Sequence, residues 1–153
     1  MRPLVACFAA WVLAAGTAGT AGAASASGAA GAAESDRDLL SFLVGSYDFV
    51  GRQHDGGATY SGTLEVSGDG GRLRLVRTVA GARSTGTARV EPRTPDKIKV
   101  LVASFAHAGE QLEAWCIIGS DLDNYPRLTC LVRPHGKPAG APGLEAWFHR
   151  PPP

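Results

Sequence analysis

The segment Gln111–Arg133 constrains the fold of this chain more than any other, because it contains two apolar strands separated by a polar turn, with one cysteine in each strand. In each of these strands, residues of the two strand faces alternate along the chain, which is the two-residue period of a half-buried strand. Facing positions in an antiparallel hairpin bring Cα atoms within disulfide range. We therefore predict a hairpin in which Cys116 and Cys130 can form a disulfide, if the register matches and the compartment oxidises thiols.

The beginning of the chain has the pattern of an export signal. Arg2 is followed by an apolar run, Leu4–Ala15, and then by a stretch of Ala, Gly, Ser and Thr, as in a secretory signal peptide. We expect cleavage after Ala26, with a second small-residue site at Ala30–Ala32. The apolar run is shorter than the roughly 20 residues that a membrane span needs, and a lipoprotein signal ending at Cys7 would leave no room for an apolar region. The sequence thus predicts a periplasmic or secreted protein without a membrane span.

The composition of the mature chain limits its partners. Without the leader, two of the three cysteines remain, and 14 of the 15 Lys and Arg residues remain against 14 Asp and Glu. An even cysteine count in an exported chain favours one disulfide over a reactive thiol or a metal site. Balanced charge argues against binding to nucleic acid or to a membrane surface, which depends on excess positive charge.

Six further segments have the residue pattern of strands, and most are separated by turns rich in Gly or Pro. They are Val44–Gly51, Thr59–Val66, Arg72–Val79, Ser84–Glu91, Lys97–Phe105 and Leu144–Arg150. With the cysteine hairpin this makes eight strands, and no segment has the pattern of a long helix. The fifth of these segments is apolar on both faces, so we expect both of its sides to be covered.

Eight consecutive strands with short connections favour an antiparallel meander that closes on itself, because closure removes the exposed strand edges. We predict an all-β, eight-stranded up-and-down barrel over residues 38–150. A helical turn at Asp38–Leu43, capped by Asp36 or Asp38, would precede it. Residues 1–26 would form the signal peptide, residues 27–37 a flexible mature N-terminus and residues 151–153 a tail.

The segment Leu40–Tyr47, followed by Ser61-Gly62 on the second strand, resembles the start of a calycin barrel, the group that includes lipocalins and fatty-acid-binding proteins. Such barrels begin with a short helical turn and then Gly-x-aromatic on the first strand. Here that motif is Gly45-Ser46-Tyr47, with tyrosine where tryptophan is commoner. The resemblance implies a hydrophobic or amphiphilic ligand in the barrel mouth, and no covalent chemistry.

Four residues are our candidates for lining such a ligand site: Tyr47, Phe49, Tyr60 and Arg77. Arg77 lies on the apolar side of its strand, where a guanidinium needs a partner. Two interpretations are open for Arg77. It binds a ligand carboxylate, or it lies at the end of the strand and pairs with a nearby acid or extends into water.

The tetrapeptide Leu-Glu-Ala-Trp occurs at residues 112–115 and again at 144–147, so that Trp115 and Trp147 share their strand faces with glutamates. Inward-pointing tryptophans would line a pocket that also contains Glu113 and Glu145, and outward-pointing tryptophans would form an exposed aromatic patch. Alternatively, they simply pack under a loop or on the N-terminal turn. Of the two directions we favour the outward one, because the opposite face, which includes Phe148, then forms the longer apolar set. Exposed aromatic residues are typical of partner surfaces. The alternative function is therefore a protein-interaction module, an inhibitor or assembly factor of the cell envelope, that uses the tryptophans and the hairpin tip Ser120–Tyr125.

No pattern predicts catalysis, a metal site or a cofactor. The tip residues Asp121, Asp123 and Asn124 lack the glycine and the terminal glutamate of a calcium loop, and all three are turn formers. The four histidines show no ligand spacing, and His149, a position of haem ligation in some barrels, is more typical of a surface residue. Nucleophile and phosphate-loop motifs are missing from the sequence. We expect a non-enzymatic binding protein.

Overall fold

The chain is described by a computed structural model over residues 35–93, 95–120, 125–137 and 140–151. A helix over residues 35–42 precedes eight strands, and a 3-10 turn at His54–Gly56 follows the first of them. The strands are β1 (Gly45–Arg52), β2 (Thr59–Asp69), β3 (Arg72–Val79), β4 (Ala82–Pro92), β5 (Lys99–His107), β6 (Glu110–Ser120), β7 (Pro126–Pro134) and β8 (Gly143–Arg150). The expected signal peptide and the expected hairpin tip at residues 121–124 lie outside the described residues.

Each strand pairs antiparallel with the next, and β8 pairs with β1, so the sheet closes. The predicted all-β, eight-stranded up-and-down barrel is confirmed. Alternate residues of each strand point inward, and an eight-stranded barrel is just wide enough for those side chains to fill it. The interior here is filled by a buried set that includes Phe49, Leu64, Leu75, Leu101, Phe105, Ala114, Leu128 and Trp147.

The strand β5 is apolar on both sides, and both sides are covered as predicted. Its inward residue Leu101 lies in the core, and its outward residues Val100 and Val102 are only 8% and 1% exposed. Trp115 is the partner of Val102 across the neighbouring strand. Apolar residues on the outer side of this strand are therefore shielded by the side chains around them.

The helical turn predicted at Asp38–Leu43 is present as the helix over residues 35–42. Asp36 and Asp38 lie within its first turn rather than at its cap. A carboxylate in the first turn is still stabilised by the positive end of the helix dipole. The Nζ atom of Lys99 on β5 lies 2.6 Å from Asp36 Oδ1. The leucines at the end of the helix pack on the core and cover one end of the barrel: Leu39, Leu40 and Leu43.

The predicted disulfide between Cys116 and Cys130 is present, and the two residues are direct cross-strand partners on β6 and β7. Both cysteines point into the barrel and are buried. Closing a loop of about 15 residues stabilises a fold by roughly 3 kcal/mol in the chain-entropy account. The disulfide therefore fixes the register of the hairpin from which the fold was predicted.

The two Leu-Glu-Ala-Trp segments face opposite ways, which corrects one of our expectations. Trp115 on β6 points outward and is 42% exposed, as favoured, whereas Trp147 on β8 points inward and is fully buried. Phe148, expected inside, lies on the outer surface. The reason is register: Cys130 pairs with both Cys116 and Glu145, and cross-strand partners share a face.

Candidate functional site

Arg77, one of the predicted ligand residues, lies inside the barrel between two aromatic rings. It points inward from β3 and is fully buried. Its Cζ atom lies 4.3 Å from the ring centre of Phe49 and 3.8 Å from that of Phe105. The negative ring faces stabilise the guanidinium by cation–π attraction, but a buried cation also needs an anion.

That anion is Glu145 of β8, which is buried and whose two carboxylate oxygens accept four hydrogen bonds. Arg77 donates from Nη1 to Oε2 at 3.0 Å and from Nη2 to Oε1 at 2.6 Å. Tyr60 donates its hydroxyl to Oε1 at 2.6 Å, and Trp147 donates Nε1 to Oε2 at 2.7 Å. The fork-to-fork geometry and the two further donors compensate a charge that would otherwise be costly to bury. The structure shows the acid pairing of the second interpretation, but Arg77 is fully buried inside the barrel rather than at a solvated strand end.

Three glycines make room for the aromatic rings of this cluster. Each faces an aromatic residue on the neighbouring strand, in the pairs Gly51–Tyr60, Gly62–Phe49 and Gly86–Phe105. A Cβ atom on Gly51 would lie 2.7 Å from Tyr60 Cζ and 2.9 Å from Glu145 Cγ. Only a glycine at this position lets the tyrosine ring cross the strand and reach the carboxylate.

Tyr47, the remaining predicted ligand residue, lies at the end of the barrel that the helix covers. Its hydroxyl donates to the carbonyl oxygen of Leu43 at 2.8 Å, and burial raises its pKa above the ordinary tyrosine value. Its ring meets His149 edge-on at 5.1 Å, and His149 in turn stacks on Tyr125 at 5.1 Å. Phe49, Tyr60 and Arg77 thus come together around Glu145, and Tyr47 belongs to the closed end.

The other end of the barrel, which we call the mouth, lies between the β1–β2, β3–β4, β5–β6 and β7–β8 connections. The rings of Tyr60 and His107 stack there at 4.8 Å, with 25° between their planes. Both rings line a cavity of about 110 Å³ and a groove of about 540 Å³. Burial first, and then the neighbouring Glu145 carboxylate, raise the pKa of Tyr60, so its hydroxyl stays a donor.

The groove and the cavity have different linings. The groove is lined mostly by small and apolar residues together with one arginine: Gln53, Tyr60, Val79, Ala80, Ala82, Arg83, Ser84, Ala106, His107, Ala108 and Gly109. The smaller cavity has Leu112 and Val132 beside polar groups that include Arg52, His54 and Glu110. The groove therefore combines apolar surface with the positive charge of Arg83, and the cavity beside it contains charges of both signs.

A side-chain clamp holds the β1–β2 connection across the mouth. His54 Nδ1 lies 3.0 Å from Asp55 Oδ2, and its Nε2 lies 3.1 Å from Glu110 Oε2 on β6. Asp55 also accepts from the backbone N–H of Ala141 at 2.9 Å, which ties the clamp to the β7–β8 connection. Hydrogen bonds to Asp55 and then to Glu110 raise the pKa of His54, because the protonated ring can donate from both nitrogens.

The outer surface of the barrel is divided into two contrasting halves. On β6, β7, β8 and β1 the outward residues include six large apolar side chains that are 39–66% exposed: Val50, Trp115, Ile117, Leu131, Leu144 and Phe148. We call this side the apolar face. The outward residues of β2, β3 and β4 are mainly Ser, Thr, Arg and Glu. Monomeric proteins seldom expose large contiguous apolar patches.

Sequence reasoning assigned no role to the three glycines or to His107, and it considered Glu145 only as a pocket carboxylate in the alternative that was not favoured. Glu145 carried a usable signal, since it lies one strand away from Cys130, and the disulfide sets which way Cys130 points. Among the described residues, no cluster of three or more His, Cys, Asp or Glu side chains is arranged to hold a metal ion. The described part of the chain also contains no helix of the length and apolarity needed to cross a membrane. The chain matches no protein-family model and no curated protein.

Proposed function

We propose that this chain is an exported binding protein that takes a small amphiphilic molecule at the barrel mouth, without covalent chemistry. The observation that carries the proposal is the groove beside the Tyr60–His107 ring pair, with its apolar walls and Arg83 at its edge. Export is supported by the signal-like leader and by the disulfide, since disulfides persist in oxidising compartments. The resemblance to calycin barrels is compatible with a ligand at this end.

The filled interior explains why we place the ligand at the mouth and not deeper. Phe49 and Arg77 are fully buried, and Glu145 already occupies the guanidinium fork. A ligand carboxylate would have to displace Glu145 and leave that carboxylate buried without its partner, which is strongly unfavourable. Of our four candidate residues, Tyr60 is the one that lines the groove.

The groove favours a ligand with an apolar body and an anionic head. The body would lie on Tyr60, Val79 and Ala106, and the head would meet the Arg83 guanidinium, which suits carboxylate and sulfate geometry. Because Arg83 is exposed, its contribution is that of a surface ion pair, about 1 kcal/mol or about fivefold in affinity.

Titration with a fluorescent fatty acid tests this function, and the methyl ester of the same probe serves as the uncharged comparison. We expect saturable binding of the acid to the wild-type protein, and about fivefold weaker binding to Arg83→Gln. The ester should bind both proteins equally. Arg74→Gln, which removes a guanidinium from the outer surface of β3, should bind the acid like wild type. If folded wild-type protein binds neither probe, the proposed function is wrong.

A protein-interaction role in the envelope is the second candidate, and the apolar face favours it, because exposed patches of this kind occur at binding surfaces. Trp115 would be a central contact, since it is the tryptophan that the structure exposes. In that case Trp115→Ala should recover fewer specific proteins than wild type from an envelope fraction.

A further inference from the structure

The apolar face is arranged in rows that cross four strands. The strand registers place Trp115, Leu131, Leu144 and Arg52 in one row. The next row contains Ile117, Thr129, Ala146 and Val50, and a third contains Gly119, Arg127, Phe148 and Asp48. The middle of this surface is therefore apolar over two rows except for Thr129, and its charged residues lie at the margins.

A second copy can face this surface about a two-fold axis that runs parallel to the strands and lies between β7 and β8. Each row then lies opposite the same row of the other copy, and the facing side chains are complementary. Such an axis places β7 opposite β8 of the other copy, and β6 opposite β1. Leu131 then faces Leu144, Ile117 faces Val50 and Thr129 faces Ala146. A two-fold interface requires this kind of self-complementary surface, and two β-sheets pack face to face at about 10 Å in nearly aligned directions.

The charged margins also match under this operation. Arg52 of one copy meets Trp115 of the other, whose ring centre already lies 4.6 Å from Arg93 Cζ in its own chain. Arg127, whose Cζ already lies 5.2 Å from the ring centre of Phe148 in its own chain, meets the second Phe148. Both are arginine–aromatic contacts, which are favourable between protein surfaces. By contrast, an axis along β7 would place Arg127 and Arg133 against their own copies. The formal charge of the whole chain is only +1, so two copies repel each other little.

The shape of the face agrees with this arrangement. A shallow depression of about 650 Å³ lies over Val50, Thr129, Leu144 and Ala146. Ile117 is 66% exposed, the largest fraction among the exposed large apolar side chains of the face. The two-fold axis between β7 and β8 brings Ile117 of one copy over the depression of the other. An apolar knob filling an apolar hollow is the packing that stabilises interfaces.

From these observations we infer that the apolar face is the interface of a symmetric dimer, in which β7 and β8 of two copies cover each other. The inference does not rest on the proposed ligand site. Tyr60 borders both the depression and the groove, but the residues that meet across the two-fold axis do not line the groove. The dimer leaves the mouth of each barrel open at its end.

Sedimentation velocity over a concentration series tests the dimer, with Leu131→Lys and Leu144→Glu as the two variants. The wild-type protein and Thr85→Glu, a matched control on the polar side of the barrel, should sediment as dimers. Each face variant alone places an unpaired charge opposite a leucine twice per dimer, so we expect dissociation constants at least about 100-fold higher. Circular dichroism of each variant establishes that the barrel is folded.

Mixing the two face variants tests the two-fold arrangement itself. In the mixed dimer, the introduced lysine of one copy and the introduced glutamate of the other would face each other at one of the two equivalent contacts, and two leucines would meet at the other. An equimolar mixture should therefore recover a dimer that neither variant forms alone. A monomeric wild-type protein at about 100 μM, well above a micromolar dissociation constant, would overturn the inference, as would dimeric face variants or a mixture that stays monomeric.

Discussion

At the residue scale, the interior of the barrel depends on Glu145, because its carboxylate joins side chains from three strands. Arg77 reaches it from β3, Tyr60 from β2 and Trp147 from its own strand. The sequence shows that Arg77 needs a partner, since it lies on an apolar strand face. It does not show which one, because Glu145 is 68 residues away and its inward direction depends on pairing with Cys130.

Breaking this ion pair should destabilise the barrel strongly. We expect Glu145→Gln and Arg77→Met each to lower the free energy of unfolding by about 3–5 kcal/mol, because each leaves a buried charge without its counter-charge. The double variant should lose clearly less than the sum of the two single losses. Urea unfolding of the four proteins measures this coupling. Additive losses would mean that the two groups do not interact as the structure shows.

The His54 clamp should make the stability of the mouth depend on pH. The pKa of His54 is raised in the folded protein by Asp55 and Glu110, so its contribution is fully present below the ordinary histidine pKa of about 6.5 and is lost as the pH rises through the raised value. The pKa values of both carboxyls are lowered. Their contribution is therefore present above their ordinary values of about 4 and is lost as the pH falls through the lowered values.

We therefore expect wild type to be more stable than His54→Gln at pH 5.5 and the difference to disappear by pH 9. Thermal unfolding of both proteins across this range measures it. Lys137→Gln is a useful comparison, since its Nζ lies 3.5 Å from Glu110 Oε1, whereas His54 contacts Oε2 of the same carboxylate. An equal difference at both pH values would show that protonated His54 does not hold the clamp.

At the element scale, the strands follow directly from local pattern, and their faces do not. The two-residue alternation in Arg72–Val79 predicts both a strand and its inward residues, and β3 has these bounds. The same tetrapeptide at residues 112–115 and 144–147 turns opposite faces inward, because only the register with β7 decides the direction. A one-residue difference in register reverses every side chain of a strand, and no local pattern in β8 contains that information.

The glycine–aromatic pairs are the element-scale feature that a substitution tests most simply. A Cβ atom on Gly62 would lie 2.2 Å from the carbonyl oxygen of Thr78 and 2.8 Å from Phe49 Cζ. We expect Gly62→Ala to lower the free energy of unfolding by about 1–3 kcal/mol, because the well-packed strands must move apart. Gly68→Ala on the same strand meets no atom within 4 Å and should change stability by less than about 0.5 kcal/mol. Equal effects in thermal unfolding would contradict this packing.

At the scale of the whole molecule, closure of the sheet separates three regions with different chemistry. The interior is filled and locked around Glu145, the mouth combines apolar walls with charges of both signs, and the apolar face is matched to itself. The two-residue hydrophobic period predicts eight strands, and closing them into a barrel leaves no strand edge exposed. The closed barrel is therefore predictable from the sequence. The same period does not predict that Arg77 is paired with Glu145 inside the barrel. Of the four candidate ligand residues, Tyr47, Phe49 and Arg77 are therefore buried in the filled interior, and Tyr60 is the one that lines the groove at the mouth.

Amide chemical shifts recorded during titration with decanoate test most directly whether the mouth is the binding site. We expect saturable shifts confined to the mouth, at Tyr60, Val79, Arg83, His107 and Ala108. Amides of the filled interior should not move, among them Leu64, Leu75 and Ala114, and neither should those of the apolar face, such as Leu131 and Ala146. Shifts centred on the interior or on the apolar face, or no saturable shifts at all, would contradict a ligand site at the mouth.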